Sequence, residues 1–195
     1  MEETKNPWTV LSLSTVYENK WIRVDHQEVL VPSGTPGVYG TIHFKHHATA
    51  VVPIDGNGNV MLVGQYRFPL RAYSWEIPEG GGSRSTTPLE SAQRELREEC
   101  GLAAIHWKEI LGVDLSNSVT DERGTAFLAW ELFETEAEPD ETEKLQLARV
   151  PFWDAIDRVK RGEIRDSLSI AALLRVALMA LQGELPEQVA RAISR

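Results

Sequence analysis

Residues 75–102 read Trp-Glu-Ile-Pro-Glu-Gly-Gly-Gly-Ser-Arg-Ser-Thr-Thr-Pro-Leu-Glu-Ser-Ala-Gln-Arg-Glu-Leu-Arg-Glu-Glu-Cys-Gly-Leu, and this stretch decides the fold. Its glycine run at 80–82 is costly to place in a regular helix, because glycine loses the most backbone freedom on ordering. Residues 87–90, Thr-Pro-Leu-Glu, then have the pattern of a capping box with proline at the first helical position. Gly101 suits the left-handed residue that follows a helix. The sequence therefore predicts a glycine loop and then a helix over residues 88–100.

The predicted helix separates apolar from acidic side chains. Its buried stripe is predicted to contain Leu89, Ala92, Leu96 and Cys100. Another face carries Glu95, Glu98 and Glu99, and like charges at i and i+4 destabilise a helix by about 0.2–0.5 kcal/mol per pair. A hard divalent cation bound by carboxylate oxygens would remove this repulsion, and Mg²⁺ commonly works this way beside phosphates. The alternative is a solvated acidic face that is paired with Arg94 and Arg97.

The end of this stretch carries a resemblance to a known family. Residues 94–102, Arg-Glu-Leu-Arg-Glu-Glu-Cys-Gly-Leu, resemble the end of the Nudix box. The full pattern is Gly, five residues, Glu, seven residues, then Arg-Glu-U-x-Glu-Glu-x-Gly-U, where U is apolar. Gly80 stands where the pattern requires its first glycine, but Thr86 stands where the family has Glu. In the family that Glu usually braces the loop and helix and does not bind the main metals. Thr86 therefore puts this bracing in doubt more than the chemistry.

The resemblance extends over roughly residues 8–182. Residues 64–67 (Gly-Gln-Tyr-Arg), 75–78 (Trp-Glu-Ile-Pro) and 162–167 (Gly-Glu-Ile-Arg-Asp-Ser) resemble the branch of ADP-ribose and nucleotide-sugar pyrophosphatases. The order of the predicted elements, which is strands, one helix, strands and then helices, indicates an α+β fold. The resemblance implies an α/β/α sandwich around a mixed β-sheet.

Two domains are expected from the same resemblance. Residues 1–34 would form an N-terminal β-hairpin and residues 35–195 the Nudix hydrolase domain. In this branch the hairpin commonly crosses to a partner subunit, so a homodimer is expected. The alternative is a hairpin that packs on its own domain.

Composition narrows the functional classes. The chain has 195 residues, of which 42% are hydrophobic and 25% charged, as is ordinary for a globular protein with a full core. Its formal net charge of −9 argues against binding to nucleic acid or to an anionic membrane. No N-terminal signal pattern and no run of 18 apolar residues is found, so a cytoplasmic location is the default expectation.

Alternation, turn residues and helix signals predict the remaining elements. Strands are predicted at residues 8–18, 21–31, 37–46, 48–54, 60–66, 103–113, 123–133 and 144–150. Residues 67–74 are predicted to be irregular, and residues 134–143 an exposed acidic loop. Helices are predicted from Pro151 to Gly162, over 168–182 with Ser167 as cap, and within 186–194.

The Nudix resemblance implies a metal site on the box helix. Glu95 and Glu99 would be primary ligands of Mg²⁺, with Mn²⁺ as an alternative ion. Glu98 would be a catalytic residue and a third ligand, or a ligand of a second ion. The family also uses the backbone carbonyl before the first box glycine, which belongs here to Glu79. The side chain of Glu79 departs from the small residue often found there, and is expected either to be exposed or to touch substrate.

A second acidic segment is implied to complete the catalytic machinery. In the resembling branch, a Glu on the loop before the last strand activates water or binds metal. Glu141 is the candidate general base and Glu143 the candidate metal ligand. The alternative is an acidic loop that is only solvated.

Four more residues are candidates for substrate binding. Arg67 could clamp a phosphate with two hydrogen bonds, or be a surface arginine. Trp75 could stack on a base or pack in the core, and Glu76 could accept hydrogen bonds from substrate or lie exposed at a strand end. Glu122 belongs to a loop that often lines the pocket in this branch.

Taken together, these features predict Mg²⁺-dependent hydrolysis of the pyrophosphate bond of a nucleoside diphosphate sugar, such as ADP-ribose. The products would be a nucleoside monophosphate and a sugar phosphate. GDP-mannose or UDP-glucose is an alternative substrate. A noncatalytic nucleotide-sugar sensor is a different class of function, which Thr86 keeps open and the three crowded glutamates argue against.

Overall fold

The structure is a computed structural model that describes residues 5–136 and 144–194. The chain forms two compact units. The first contains the described residues up to His46 together with Asp114–Arg123. The second contains His47–Val113 and the described residues from Gly124 onward.

The first unit is built on an antiparallel sheet of three strands, in the order β1-β2-β3. These are β1 (Thr9–Glu18), β2 (Ile22–Leu30) and β3 (Pro36–Phe44). The predicted hairpin is formed by β1 and β2, and the Asn19 side chain accepts the amide hydrogens of Trp21 and Ile22 at the turn, each at 2.8 Å. Every residue of β1 is exposed, so the described part of the chain covers neither of its faces.

The second unit contains a mixed sheet. Its strands are β4 (His46–Ile54), β5 (Asn59–Arg67), β6 (Ala72–Glu76), β7 (Glu79–Ser83), β8 (Leu102–Asp114), β9 (Arg123–Glu134) and β10 (Gln146–Pro151). The main path runs β10-β5-β4-β9-β8, with β6 paired to β5 and β7 paired to β4. Strands β4 and β9 run parallel, whereas β5 runs antiparallel to β4 and β10. The sheet therefore combines both pairings, as predicted.

Helices cover both faces of this sheet. They are α1 (Pro88–Cys100), α2 (Phe152–Lys160), α3 (Ser167–Gln182) and α4 (Glu187–Ala192). Alternate residues of β4 point to opposite sides: Val52 joins the larger buried cluster with α2, α3 and α4, and Val51 joins a smaller cluster with α1. This arrangement confirms the α+β sandwich.

Three details differ from the sequence predictions. Residues 72–76 form β6, although 67–74 was predicted to be irregular. The glycine run lies in β7 rather than in a loop. The cap of α3 is Asp166, whose carboxylate accepts the Ser169 amide hydrogen at 2.7 Å, and not Ser167. Within the described ranges, every helix is too short or too polar to cross a membrane.

Candidate active site

Helix α1 is held in place at both ends. At its start, the Thr87 hydroxyl accepts the Glu90 amide hydrogen at 3.2 Å and the Glu90 carboxylate accepts the Thr87 amide hydrogen at 2.8 Å. At its end, Gly101 adopts the left-handed conformation with φ of 63°. Both predicted caps are therefore present. They fix where the helix begins and ends, and so the direction in which its glutamates point.

The glycine strand β7 lies directly against the acidic face of α1. The Glu79 amide donates to Glu99 Oε2 at 3.1 Å, and Arg94 Nη2 donates to the Gly81 carbonyl at 2.8 Å. A Cβ atom at Gly80 would lie 2.2 Å from Glu95 Cδ. A side chain at position 80 would therefore displace the Glu95 carboxylate, which occupies the space beside this glycine.

Arg94 neutralises two of the three box glutamates. Its Nη2 lies 2.5 Å from Glu95 Oε1, and its Nη1 donates to Glu98. Pairing of this acidic face with Arg94 was the alternative to a metal site that the sequence left open. The side chains of Glu95 and Glu98 are 12% and 27% exposed, and Glu99 is buried. Glu98 is therefore the most accessible carboxylate of the three.

A second charged network begins at Arg67, at the end of β5. Its Nε donates to both carboxylate oxygens of Glu76, at 3.1 and 3.0 Å, and its Nη2 donates to Glu76 at 2.5 Å and to Glu79 at 2.9 Å. Burial alone would lower the pKa of Arg67, but the hydrogen bond and charge of Glu76, and the charges of Glu79 and Glu99, raise it. Arg67 thus stays cationic beside the box.

Glu79 is the residue at which the two networks meet. Its Oε2 lies 3.4 Å from the buried Ser169 hydroxyl on α3. Burial, followed by the charges of Asp166 and Glu76, raises the pKa of Glu79 well above its usual range, and Arg67 offsets only part of this. The side chain is 13% exposed, which excludes the first of the two alternatives, an exposed Glu79.

Comparison with known proteins identifies the family. Residues 44–173 match the family model described as NUDIX domain. The chain belongs to the Nudix family of hydrolases. Residues 8–42 match a second model, described as nucleoside diphosphate sugar hydrolase N-terminal domain, which corresponds closely to the three-stranded unit of this Nudix hydrolase.

Two relatives of this Nudix hydrolase are similar over most of their length. An ADP-ribose pyrophosphatase of Mycobacterium tuberculosis is 32% identical over 177 residues, covering 88% of this chain and 84% of the relative. An ADP-ribose pyrophosphatase of Bacillus subtilis is 31% identical over 173 residues, covering 87% and 92%. A solved structure described as ADP compounds hydrolase has a TM-score of 0.82 at 22% identity, covering 94% of this chain and all of that one, and shows that the fold is shared.

The donor groups around β7 suit a hard cation. Carboxylate and carbonyl oxygens are the ligands that Mg²⁺ prefers, and Glu95 packs on the backbone of Gly80 while Glu99 binds the amide of Glu79. Among the described residues, no three acidic, histidine or cysteine side chains are already spaced as a metal site. Because Arg94 binds Glu95 and Glu98, a cation has to compete with its guanidinium for them.

The other predicted site residues differ in burial and in position. Glu76 is buried against Arg67, which excludes an exposed strand end. Trp75 is half-buried, packs on the larger core and meets Tyr73 edge-on at 5.8 Å. Glu122 belongs to the first compact unit. Glu141 and Glu143 lie outside the described residues.

The Nudix position occupied by Thr86 has a brace of another kind. The Thr86 hydroxyl donates to the Ser83 carbonyl at 2.8 Å and lies 3.1 Å from the buried Ser91 hydroxyl on α1. Ser91 in turn lies 3.1 Å from His47 Nε2 on β4. A Cβ at Gly82 would lie 1.9 Å from Ser91 Oγ. The absence of a side chain at position 82 therefore leaves room for the contact between Ser91 and His47. Sequence reasoning missed the network, although a serine on the buried side of the helix was its available signal.

Proposed function

We propose that this Nudix hydrolase cleaves the diphosphate bond of a nucleoside diphosphate sugar, with ADP-ribose as the first candidate. The products would be a nucleoside monophosphate and a sugar phosphate. The observation that carries this proposal is the packing of Glu95 and Glu99 against β7, with the Arg67 network beside them. The names of the two bacterial relatives, both ADP-ribose pyrophosphatases, support the choice of substrate.

The proposed cofactor is Mg²⁺, with Mn²⁺ as the alternative. Glu95, Glu98, Glu99 and the carbonyl of Glu79 would hold it, and Glu143 is the further proposed ligand. When bound, the ion supplies positive charge to the diphosphate and lowers the pKa of a bound water.

The side chains of the site then have separate tasks. Arg67 would donate hydrogen bonds to a nonbridging phosphate oxygen, which orients the diphosphate and offsets its charge. Glu98 is accessible enough to accept a proton from the attacking water, and Glu141 is the alternative base. Water adds to one phosphorus as the bridging P–O bond breaks, and the bridging oxygen leaves with the other phosphate. Glu76 would act on substrate through Arg67, and Trp75 and Glu122 remain proposed contacts for base and sugar.

The deciding experiment replaces Glu98 or Glu99 with Gln and follows ADP-ribose turnover with Mg²⁺. We expect a loss of at least about 100-fold in kcat for each variant, as is typical when a group that moves protons or holds the metal is removed. Glu187→Gln, an exposed change on α4, is the matched control and should keep full activity. Full activity in both site variants would refute the assignment. Stabilisation by ADP-ribose without any hydrolysis by the unchanged protein would instead establish a sensor.

The sugar and base specificity needs a substrate panel. ADP-ribose, ADP-glucose, GDP-mannose and UDP-glucose should be compared by phosphate release after coupling to a phosphatase. We expect ADP-ribose to have the highest kcat/KM, and a higher value for GDP-mannose or UDP-glucose would reassign the substrate.

We also propose that β1 mediates a homodimer. Its exposed apolar side chains include Leu11, Leu13, Val16 and Tyr17. A long exposed apolar strand favours pairing with another chain. Leu13→Lys should shift the sedimentation coefficient from dimer to monomer, whereas Ser12→Lys on the adjacent position should have a smaller effect. A monomeric unchanged protein would exclude this role.

A further inference from the structure

The guanidinium of Arg67 is fixed along one edge by two carboxylates. Glu76 takes the Nε hydrogen and one Nη2 hydrogen, and Glu79 takes a second bond from Nη2 at 2.9 Å. Arg67 Nη1 forms no hydrogen bond with any of the described residues, 5–136 and 144–194. The donors on Nη1 are therefore the ones that Arg67 can offer to an anion while it keeps its protein partners.

Glu79 connects this arginine to two other parts of the site. Its backbone amide donates to Glu99 Oε2 at 3.1 Å, so the same residue binds Arg67 by its side chain and a box glutamate by its backbone. Its Oε2 lies 3.4 Å from the Ser169 hydroxyl, which itself accepts the Ile77 amide hydrogen at 3.0 Å. Glu79 is thus tied to α3, to β5 and to α1.

Stability alone does not account for this carboxylate. Glu76 already pairs with Arg67, and Glu79 adds a second acidic group to a half-buried site that Asp166 also faces. Burying like charges costs free energy that one guanidinium only partly returns. A small side chain at position 79 would leave the hydrogen bonds between Glu76 and Arg67 intact. What the Glu79 carboxylate adds is a second contact that fixes the orientation of the Arg67 guanidinium.

We propose that the Glu79 carboxylate is a positioning group that sets the orientation of Arg67 for the diphosphate. Glu76 holds one edge of the guanidinium, and Glu79 prevents rotation about that contact. The Nη1 hydrogens are then presented in one direction before substrate arrives, which reduces the entropy lost on binding. This inference rests on the proposed function for its ligand, a nucleoside diphosphate sugar.

The test compares Glu79→Ala, Glu79→Gln, Arg67→Ala and the Glu79→Ala/Arg67→Ala double variant. ADP-ribose binding is measured by calorimetry in EDTA, and hydrolysis is measured separately with Mg²⁺. We expect Glu79→Ala to weaken binding about 5- to 10-fold, because the Arg67 side chain must then lose its rotational freedom when the ligand binds. Glu79→Gln should stay within about threefold, because its amide oxygen can still accept from Nη2. The control is Glu184→Ala, which removes another carboxylate from an arginine, Arg175, and should leave binding unchanged.

The double variant separates positioning from a merely structural role. If Glu79 acts through Arg67, the double variant binds no more weakly than Arg67→Ala alone, and its kcat/KM follows the same rule. Independent, multiplicative losses would overturn the proposal, as would Glu79→Ala binding within about twofold of the unchanged protein. If the unchanged protein binds ADP-ribose without cleaving it, the proposed hydrolysis is wrong, and the binding constants still decide the role of Glu79.

Discussion

The Thr86 hydroxyl lies 3.1 Å from the Ser91 hydroxyl, at the Nudix position where the family has Glu. Ser91 carries the contact on to His47, and therefore to β4. A chain of polar side chains thus joins the end of β7 to helix and sheet. The family's Glu is charged and this replacement is not, so the brace here does not add another carboxylate to an already acidic box.

Ser91→Ala tests this brace. The change removes the hydrogen bonds of the buried Ser91 hydroxyl to His47, Thr86 and the Thr87 carbonyl, so we expect the free energy of unfolding to fall by about 0.5–1.5 kcal/mol. Chemical denaturation measures this directly, and Ser85→Ala is the control because Ser85 is an exposed serine of the same segment. Equal stabilities for the two variants would show that the network contributes nothing.

Gly80→Ala tests the fit of Glu95 against β7. The added methyl group would lie 2.2 Å from Glu95 Cδ and must displace the carboxylate. We expect the Mg²⁺ concentration for half-maximal ADP-ribose hydrolysis to rise by about 10- to 100-fold, as when groups that orient a ligand are altered. Gly112→Ala is the control, since its added Cβ meets no atom within 4 Å. An unchanged Mg²⁺ dependence in Gly80→Ala would argue against Glu95 as a ligand.

The cap of α1 gives a prediction about pH. The amide and then the hydroxyl of Thr87 donate to Glu90 and lower the pKa of this carboxyl. A depressed folded-state pKa means that its stabilisation is complete above the unfolded value and is lost as the pH falls through the folded value. The stability difference between the unchanged protein and Glu90→Gln should therefore shrink from pH 6 towards pH 3, as measured by urea denaturation.

Thr87→Ala is the companion variant for that experiment. It removes the hydroxyl but keeps the backbone donor, so it should lose about 1 kcal/mol of stability at neutral pH and still retain part of the acid dependence. A Glu90→Gln difference that is constant across the whole range would contradict the proposed hydrogen bond.

Asp25 gives a prediction for the first compact unit. This aspartate is fully buried on β2 and accepts hydrogen bonds from Thr15 at 2.8 Å and Arg23 at 3.1 Å, with His43 Nε2 at 3.2 Å. Asp25→Ala should lower the free energy of unfolding of this unit by about 1–3 kcal/mol, because three hydrogen-bonded contacts of a buried carboxylate are lost while their partners can turn to water. Glu28→Ala, on the exposed part of the same strand, should change it by no more than about 0.5 kcal/mol, and similar losses for both would contradict this account.

The sequence predicted best what short-range chemistry determines. The caps at Thr87 and Gly101 follow from the residue types at those positions, and so does the apolar stripe of α1. The placement of Glu79 was missed, because its partners Arg67 and Ser169 come from other elements, 12 and 90 residues away in the chain. No periodicity reports such contacts. The cap of α3 was displaced by one residue because Asp166 and Ser167 are both good N-caps, and the backbone conformation decides between them.

The division of the interior into two buried clusters has a dynamic consequence. Helix α1 rests on the smaller one, which includes Val51 and Phe127, whereas α3 belongs to the larger. Segments secured by less apolar area open at lower free energy than the molecule as a whole. Amide hydrogens of α1 should therefore exchange with deuterium before those of α3, so that the glutamate-bearing helix could loosen transiently while the remainder of the sandwich stays folded.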